Sequence, residues 1–243
     1  MNLAYMRYEL LRTFRNRRYF FLAIGFPLVI YYVIAGTNTN QHDFDNTGLS
    51  LPLYFMVGLA AFGAMSAMLA AGGRIATERS AGWTRQLRLT PLSTREYFRA
   101  KVATAYAAAL VTIILLYIAG VTLGVRLSAG DWLKMTALML VGLIPFAALG
   151  ILIGHLLTPD SVPPAVGGLT ALFAFLGGVW FSISGGFMGA LAESLPSYWL
   201  VQASHVALSG HGWRGLGWLV VGAWTVAAVA LAAWAYRRDT KRM

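Results

Sequence analysis

Four histidines (His42, His155, His205 and His211) and the run Ser182-Ile183-Ser184-Gly185 are the residues of this chain whose types could support covalent or metal chemistry. A serine nucleophile needs a base within hydrogen-bond reach and a third group to orient that base. Ser184 with His155 or His205 would supply parts of an intramembrane serine protease. The histidines share no metal-ligand spacing, and the acidic residues are scattered. Cysteine is absent, which excludes disulfides, thiolate metal sites and cysteine nucleophiles. No G-x-x-x-x-G-K-S/T phosphate loop occurs, and no Gly-Lys pair exists anywhere in the chain. No catalytic residue, metal site or resident cofactor is assigned on these grounds.

The stretch from Thr77 to Lys101, TERSAGWTRQLRLTPLSTREYFRAK, carries a denser pattern. The spacing predicts a short helix over 78–89, with Trp83 and Leu87 four apart on one side and Arg79, Arg85 and Arg88 free for anionic partners. Pro91 ends it. Ser93 stands three residues before Glu96, the spacing of a capping box, so a second helix starts there and runs on. A basic loop of this kind holds topology and touches lipid headgroups whatever the protein does. An apolar anchor such as Trp83 ringed by charge is also what a protein contact looks like.

The elements that position these residues follow from composition. The chain has 243 residues, 58% hydrophobic and only 12% charged, against about 25% charged in soluble domains. Its mean hydropathy is +0.64. A bilayer core about 30 Å thick takes roughly 20 apolar residues in a helix. Six segments qualify: 19–36, 51–73, 102–125, 135–157, 162–184 and 216–236, none holding an acidic or lysine/arginine side chain. The apolar run of the first is longer than the h-region of a secretory signal, so an uncleaved helix is expected. The absence of ionisable groups deep in the spans argues against proton-coupled transport.

Sixteen of the 19 lysines and arginines fall in three blocks. The first holds Arg7, Arg12, Arg15, Arg17 and Arg18. The second runs from Arg74 to Lys101, and the third holds Arg237, Arg238, Lys241 and Arg242. Six crossings bring all three to one side, which the positive-inside rule makes cytoplasmic, with both termini there. Basic flanks of apolar spans account for the net charge of +10, so nucleic acid is not an expected partner and membrane lipid is. In this topology Ser184 and His155 lie at opposite faces, which works against the protease reading.

Two further elements complete the all-α integral membrane fold. Residues 1–18 carry Leu3, Met6, Leu10 and Phe14 at helical spacing, with Glu9, Arg12 and Arg15 off that stripe, as an amphipathic interfacial helix would. Residues 185–215 hold Phe187, Met188, Leu191, Trp199, Leu200, Val201 and Leu208, too apolar for a water-immersed loop. This outer segment is expected to re-enter the membrane or pack on the bundle. The many glycines read first as close helix packing. Pro27 and Pro145 should loosen spans one and four.

At this point the chain resembles the permease subunits of type 2 ABC exporters, including the daunorubicin-resistance permeases. The resemblance rests on Glu78, Arg79, Gly82, Trp83, Leu87, Thr90, Pro91, Leu92, Ser93, Tyr97 and Lys101. It extends to the basic N-terminal helix, Pro27, the Ser184-Gly185 pair, Pro196 and Trp199. The family often has a proline after that Ser-Gly pair, whereas this chain reads Gly186, Phe187, Met188, Gly189.

The resemblance implies a single permease domain over 1–243 in a bacterial plasma membrane, paired with a second copy or a related permease. It implies that 77–91, within the cytoplasmic loop 74–101, is a coupling helix docking on a separate ABC ATPase subunit. The contacts would be Glu78, Arg79, Gly82, Trp83, Arg85, Leu87, Arg88, Thr90 and Pro91, with ATP and Mg bound by that partner. Outward movement of an amphiphilic drug, lipid or glycan is the implied activity, with multidrug efflux and antibiotic resistance among its forms. A membrane enzyme and a non-transporting scaffold remain as rival readings.

Overall fold

A computed structural model describes residues 3–15, 24–83, 86 and 93–240. Every regular element among them is a helix. In chain order these are α1 (Leu3–Phe14), α2 (Phe26–Gly36), α3 (Leu51–Ser80), α4 (Thr94–Thr122), α5 (Ala129–Gly142), α6 (Ile144–Leu156) and α7 (Val162–Leu176). Then come α8 (Gly186–Glu193), α9 (Pro196–Gln202), a 3-10 turn (Ala203–His205), α10 (Val206–Ser209) and α11 (Gly215–Thr240). Four helical stretches among the described residues are long and apolar enough to cross a membrane: α3, α4, α5 with α6, and α11. The first half of the expected span 19–36 lies partly outside the described residues. Its described part, α2, and α7 are shorter apolar helices of 11 and 15 residues.

The centre of the bundle is α3, 30 residues and so about 45 Å long. It is apolar on every side and buried over most of its length, with α2, α4, α6 and α7 around it. Against α6 the backbones almost touch. A Cβ on Gly154 would come within 2.7 Å of the Gly72 carbonyl oxygen, and one on Gly150 would collide with the Met68 carbonyl. Small residues make such approach possible where the apolar solvent gives helices no hydrophobic reason to associate.

Several expectations are met and others corrected. Ser93 caps α4 as its spacing predicts: the Glu96 N–H donates to Ser93 Oγ and the Ser93 N–H to Glu96 Oε2, both at 3.3 Å. Span four is interrupted at Leu143, because Pro145 has no N–H for the ladder. The expected span 162–184 is helical only to Leu176. There the chain leaves the helix through Gly177 and Gly178, the latter at φ +77°, and Tyr54 OH donates to the Gly178 carbonyl. The apolar 185–215 segment is built of short helices that fold back onto the bundle. Trp199, Leu200 and Val201 of α9 are buried among α3, α5, α7 and α11. The Trp199 indole N–H donates to the Glu193 carbonyl at 2.9 Å.

Toward the bundle, α1 turns the side that lies off its apolar stripe. Glu9 and Thr13 are its buried residues, whereas Tyr8, Leu11 and Phe14 are exposed. The reason lies in what Glu9 meets.

Candidate coupling site at the charged end of the bundle

Arg12 pairs with Glu78, and Arg79 with Asp239, so the described parts of all three basic blocks meet at one end. Arg126, Lys134 and Arg214 sit at the other, where Lys134 donates to the Gly210 carbonyl at 2.8 Å and Arg214 pairs with Glu193 at 3.0 Å. The apolar part of α3 ends at Gly73, and its last two turns carry Arg74, Glu78 and Arg79. Arg74 and Glu78 are four apart and share a face, turned toward α1 and α4.

On that face Glu78 is the hub. Its Oε1 accepts from Lys101 Nζ at 2.6 Å and from Arg12 Nη1 at 2.8 Å, and its Oε2 accepts from Tyr97 OH at 2.8 Å. Tyr97 and Lys101 are likewise four apart, on α4, and the ammonium also sits 5.2 Å from the Tyr97 ring centre. Lys101 makes a second ion pair with Glu9 of α1. Thr13 donates to the Glu9 carbonyl at 2.9 Å and accepts from Arg74. Glu9, Glu78 and Lys101 are 1%, 4% and 1% exposed. Burial with the nearby Glu9 and Glu78 carboxylates pushes the Tyr5 phenol above its ordinary value, so it stays protonated. Charges buried this deeply are tolerated only when paired and hydrogen-bonded. The cluster therefore fixes α1, α3 and α4 in one arrangement.

Arg79, the next residue, points the other way. Its guanidinium donates to the carbonyls of His155 and, at 3.0 Å, Leu157, which end α6. It lies 3.5 Å from the Asp239 carboxylate of α11, whose other oxygen is 3.1 Å from His155 Nδ1. Orphan carbonyls at a helix C-terminus are natural partners for a cation. A cleft of about 410 Å³ opens beside this group, reaching Ser80, Thr158 and Arg238.

Beyond Ser80 the chain turns. Ala81 N–H donates to the Thr77 carbonyl at 3.0 Å and Gly82 N–H to the Arg79 carbonyl at 3.1 Å, with Gly82 at φ +69°. A side chain is strained at that φ, which glycine adopts freely. Trp83 follows at 40% exposure, and Gln86 N–H returns to the Gly82 carbonyl at 3.4 Å.

The expected 78–89 helix is thus divided. Glu78 and Arg79 belong to the last turn of α3 and face inward to partners within the chain, while Gly82 forms the turn and Trp83 is exposed. Arg85, Leu87, Arg88, Thr90 and Pro91 lie outside the described residues. Glu9, Thr13, Lys101, His155 and Asp239 enter the site without having been expected there. A signal was available for Lys101, whose neighbours at helical spacing, Tyr97, Phe98, Thr104 and Ala105, carry no charge; Glu9 reads in sequence as part of a charged face with Arg12.

The nucleophile parts are also located. His155 is at the charged end with Asp239, whereas Ser182, Ser184 and His205 border a cavity at the opposite end. His205 Nδ1 is 3.5 Å from Ser204 Oγ, and among the described residues no hydrogen bond joins Ser184 to a histidine. No group of three or more His, Cys, Asp or Glu residues fit to hold a metal occurs among the described residues.

Known sequences resemble the chain over most of its length. The profile of the ABC-2 type transporter family matches residues 2–232. A protein of Bacillus subtilis (strain 168) whose name describes it as a transport permease, YvfS, is 28% identical over 195 residues, 78% of each chain.

Proposed function

The chain belongs to the ABC-2 type transporter family, as a multi-pass membrane subunit of an ABC transporter, and we propose that it is the permease half of an outward pump. ATP and Mg are bound by a separate ATPase chain. Two permeases, identical or related, enclose the path. Six crossings arise when α2 and α7 join the four long helical stretches, and the charged end faces the cytoplasm of a bacterial cell with both termini. The substrate is amphiphilic: a drug, a lipid or a glycan.

The observation that supports this reading most is Trp83, an exposed indole one turn beyond a helix end clamped on two sides. Force applied at 82–91 by a closing ATPase would reach α1 and α4 through Glu78, and α6 and α11 through Arg79. Such clamped elements have few ways to yield except by moving together, as switching between inward and outward openings requires.

Co-expression with the candidate ATPase tests it. Trp83→Ala should lower ATPase copurification and transport at least fivefold while membrane insertion and thermal stability stay as in the parent. Unchanged copurification and transport would remove the docking role.

A further inference from the structure

At the end of the bundle opposite the charged clusters, two irregular stretches and the α9 helix border a cavity of about 350 Å³, within the roughly 300–1,000 Å³ of small-molecule sites. The 37–50 connection brings Asp45 and Asn46, both in the left-handed region at φ 51° and 57°. Asp and Asn adopt this region more readily than other non-glycine residues, and the pair forms a tight turn here. The chain leaving α7 brings Ser182 and Ser184, and α9 brings Tyr198 and Gln202, four apart on one face. Apolar surroundings accept irregular backbone only where protein covers it or it lines a water-filled cavity. The early end of α7 thus has its counterpart in this polar space.

The lining selects a ligand class. No lysine or arginine borders the cavity, and its one carboxylate, Asp45, already accepts from the Ser182 N–H at 3.2 Å. An anion would meet no cation. An ammonium group would meet that single carboxylate, one oxygen of which already holds the Ser182 N–H, among a larger number of neutral groups from Asn46, Thr47, Ser182, Ser184, Tyr198 and Gln202. The remaining side-chain polar groups are hydroxyls, two amides and the His205 imidazole, whose neutral form burial favours; all of them donate and accept alike. An apolar occupant would leave them unpaired, at a cost.

We propose that this cavity binds a neutral, hydroxyl-rich group of sugar or polyol type. The inference rests on the pump reading for its purpose, since the group would be the polar part of a departing substrate, but not for its test. The full chain, purified alone into phosphatidylcholine nanodiscs free of sugar detergents, is mixed with methyl glucoside, N-acetylglucosamine, tetramethylammonium or inorganic phosphate. Saturation-transfer NMR reads binding.

Transfer to the two saccharides is expected, falling at least fivefold in Gln202→Leu and in Asn46→Gly, the second of which also relieves the left-handed backbone. Both variants are checked for parental elution and melting. Transfer to no saccharide, equal transfer in parent and variants, or transfer only to tetramethylammonium or phosphate would overturn the proposal. Saccharide binding alongside a failed ATPase test would leave the cavity standing and remove the pump.

Discussion

Glu78 and Arg79 are adjacent in sequence and anchored on opposite sides of α3: the Glu78 carboxylate meets Lys101 of α4 at 2.6 Å, while the Arg79 guanidinium meets the Leu157 carbonyl after α6 at 3.0 Å. Neighbouring residues on a helix point about 100° apart, so one turn can reach both flanks. The end of α3 is held against rotation as well as displacement.

Lys101→Met should be among the most damaging single changes at this end. It leaves Glu9 and Glu78 as buried carboxylates short of a cation, a loss of order 3–5 kcal/mol. Arg12 still reaches Glu78, so adding Glu9→Gln should recover part of the loss. Thermal melts of the detergent-solubilised protein measure both, and no recovery in the double variant would count against the Glu9 pairing.

Arg79→Lys tests geometry with charge retained. A guanidinium fork serves two carbonyls at once, and an ammonium on a shorter reach does not. Losing charge-assisted bonds of this kind costs about 1.5–3 kcal/mol. Because Arg79 faces inward, ATPase copurification should stay at the parental level while transport per ATP hydrolysed falls. Loss of copurification instead would place Arg79 in the docking surface.

Gly150→Ala and Gly167→Ala form a matched pair. The first drives a methyl group into the Met68 carbonyl, backbone that no rotamer can move, at about 1–3 kcal/mol. At Gly167 a Cβ meets nothing within 4 Å, so alanine should be neutral or stabilise α7 by up to about 1 kcal/mol. Comparable melting shifts for the two would contradict the close contact of α3 and α6.

His205 predicts a pH dependence. Burial lowers its imidazole below the ordinary value, so the folded chain binds its proton less readily than the unfolded chain, whose histidine titrates near about 6.5. Stability is full above that value and declines as pH falls from it toward the lowered one. Melting temperature should drop between pH 7.5 and 5.5, and drop less in His205→Gln. Parallel curves for the two proteins would show that His205 is not responsible.

Much of this architecture is legible before any coordinates. The α4 cap is written in Ser93 and Glu96, because a capping box is local and its two bonds depend on spacing alone. The long helices follow from apolar run length. The end of α7 is not legible, because residues 179–183 are as apolar as a span. What stops the helix includes the bond from Tyr54, 124 residues away. Nor does the inward turn of Glu78 show in sequence. Read singly, Glu9, Glu78 and Lys101 are charges at the edge of a membrane; their pairing exists only once α1, α3 and α4 are side by side. Trp83 keeps its expected exposure because the turn at Gly82 is again local.

The shortness of α7 bears on the membrane itself. Fifteen residues of helix span about 22 Å, well under a hydrocarbon slab of about 30 Å. If α7 is a crossing, as proposed, lipid beside it would thin, or the irregular 177–185 stretch and the cavity it lines would make up the shortfall. With α7 as one of the six proposed crossings, a solute following it would leave helix some 8 Å short of a full slab, on the side where the polar cavity lies.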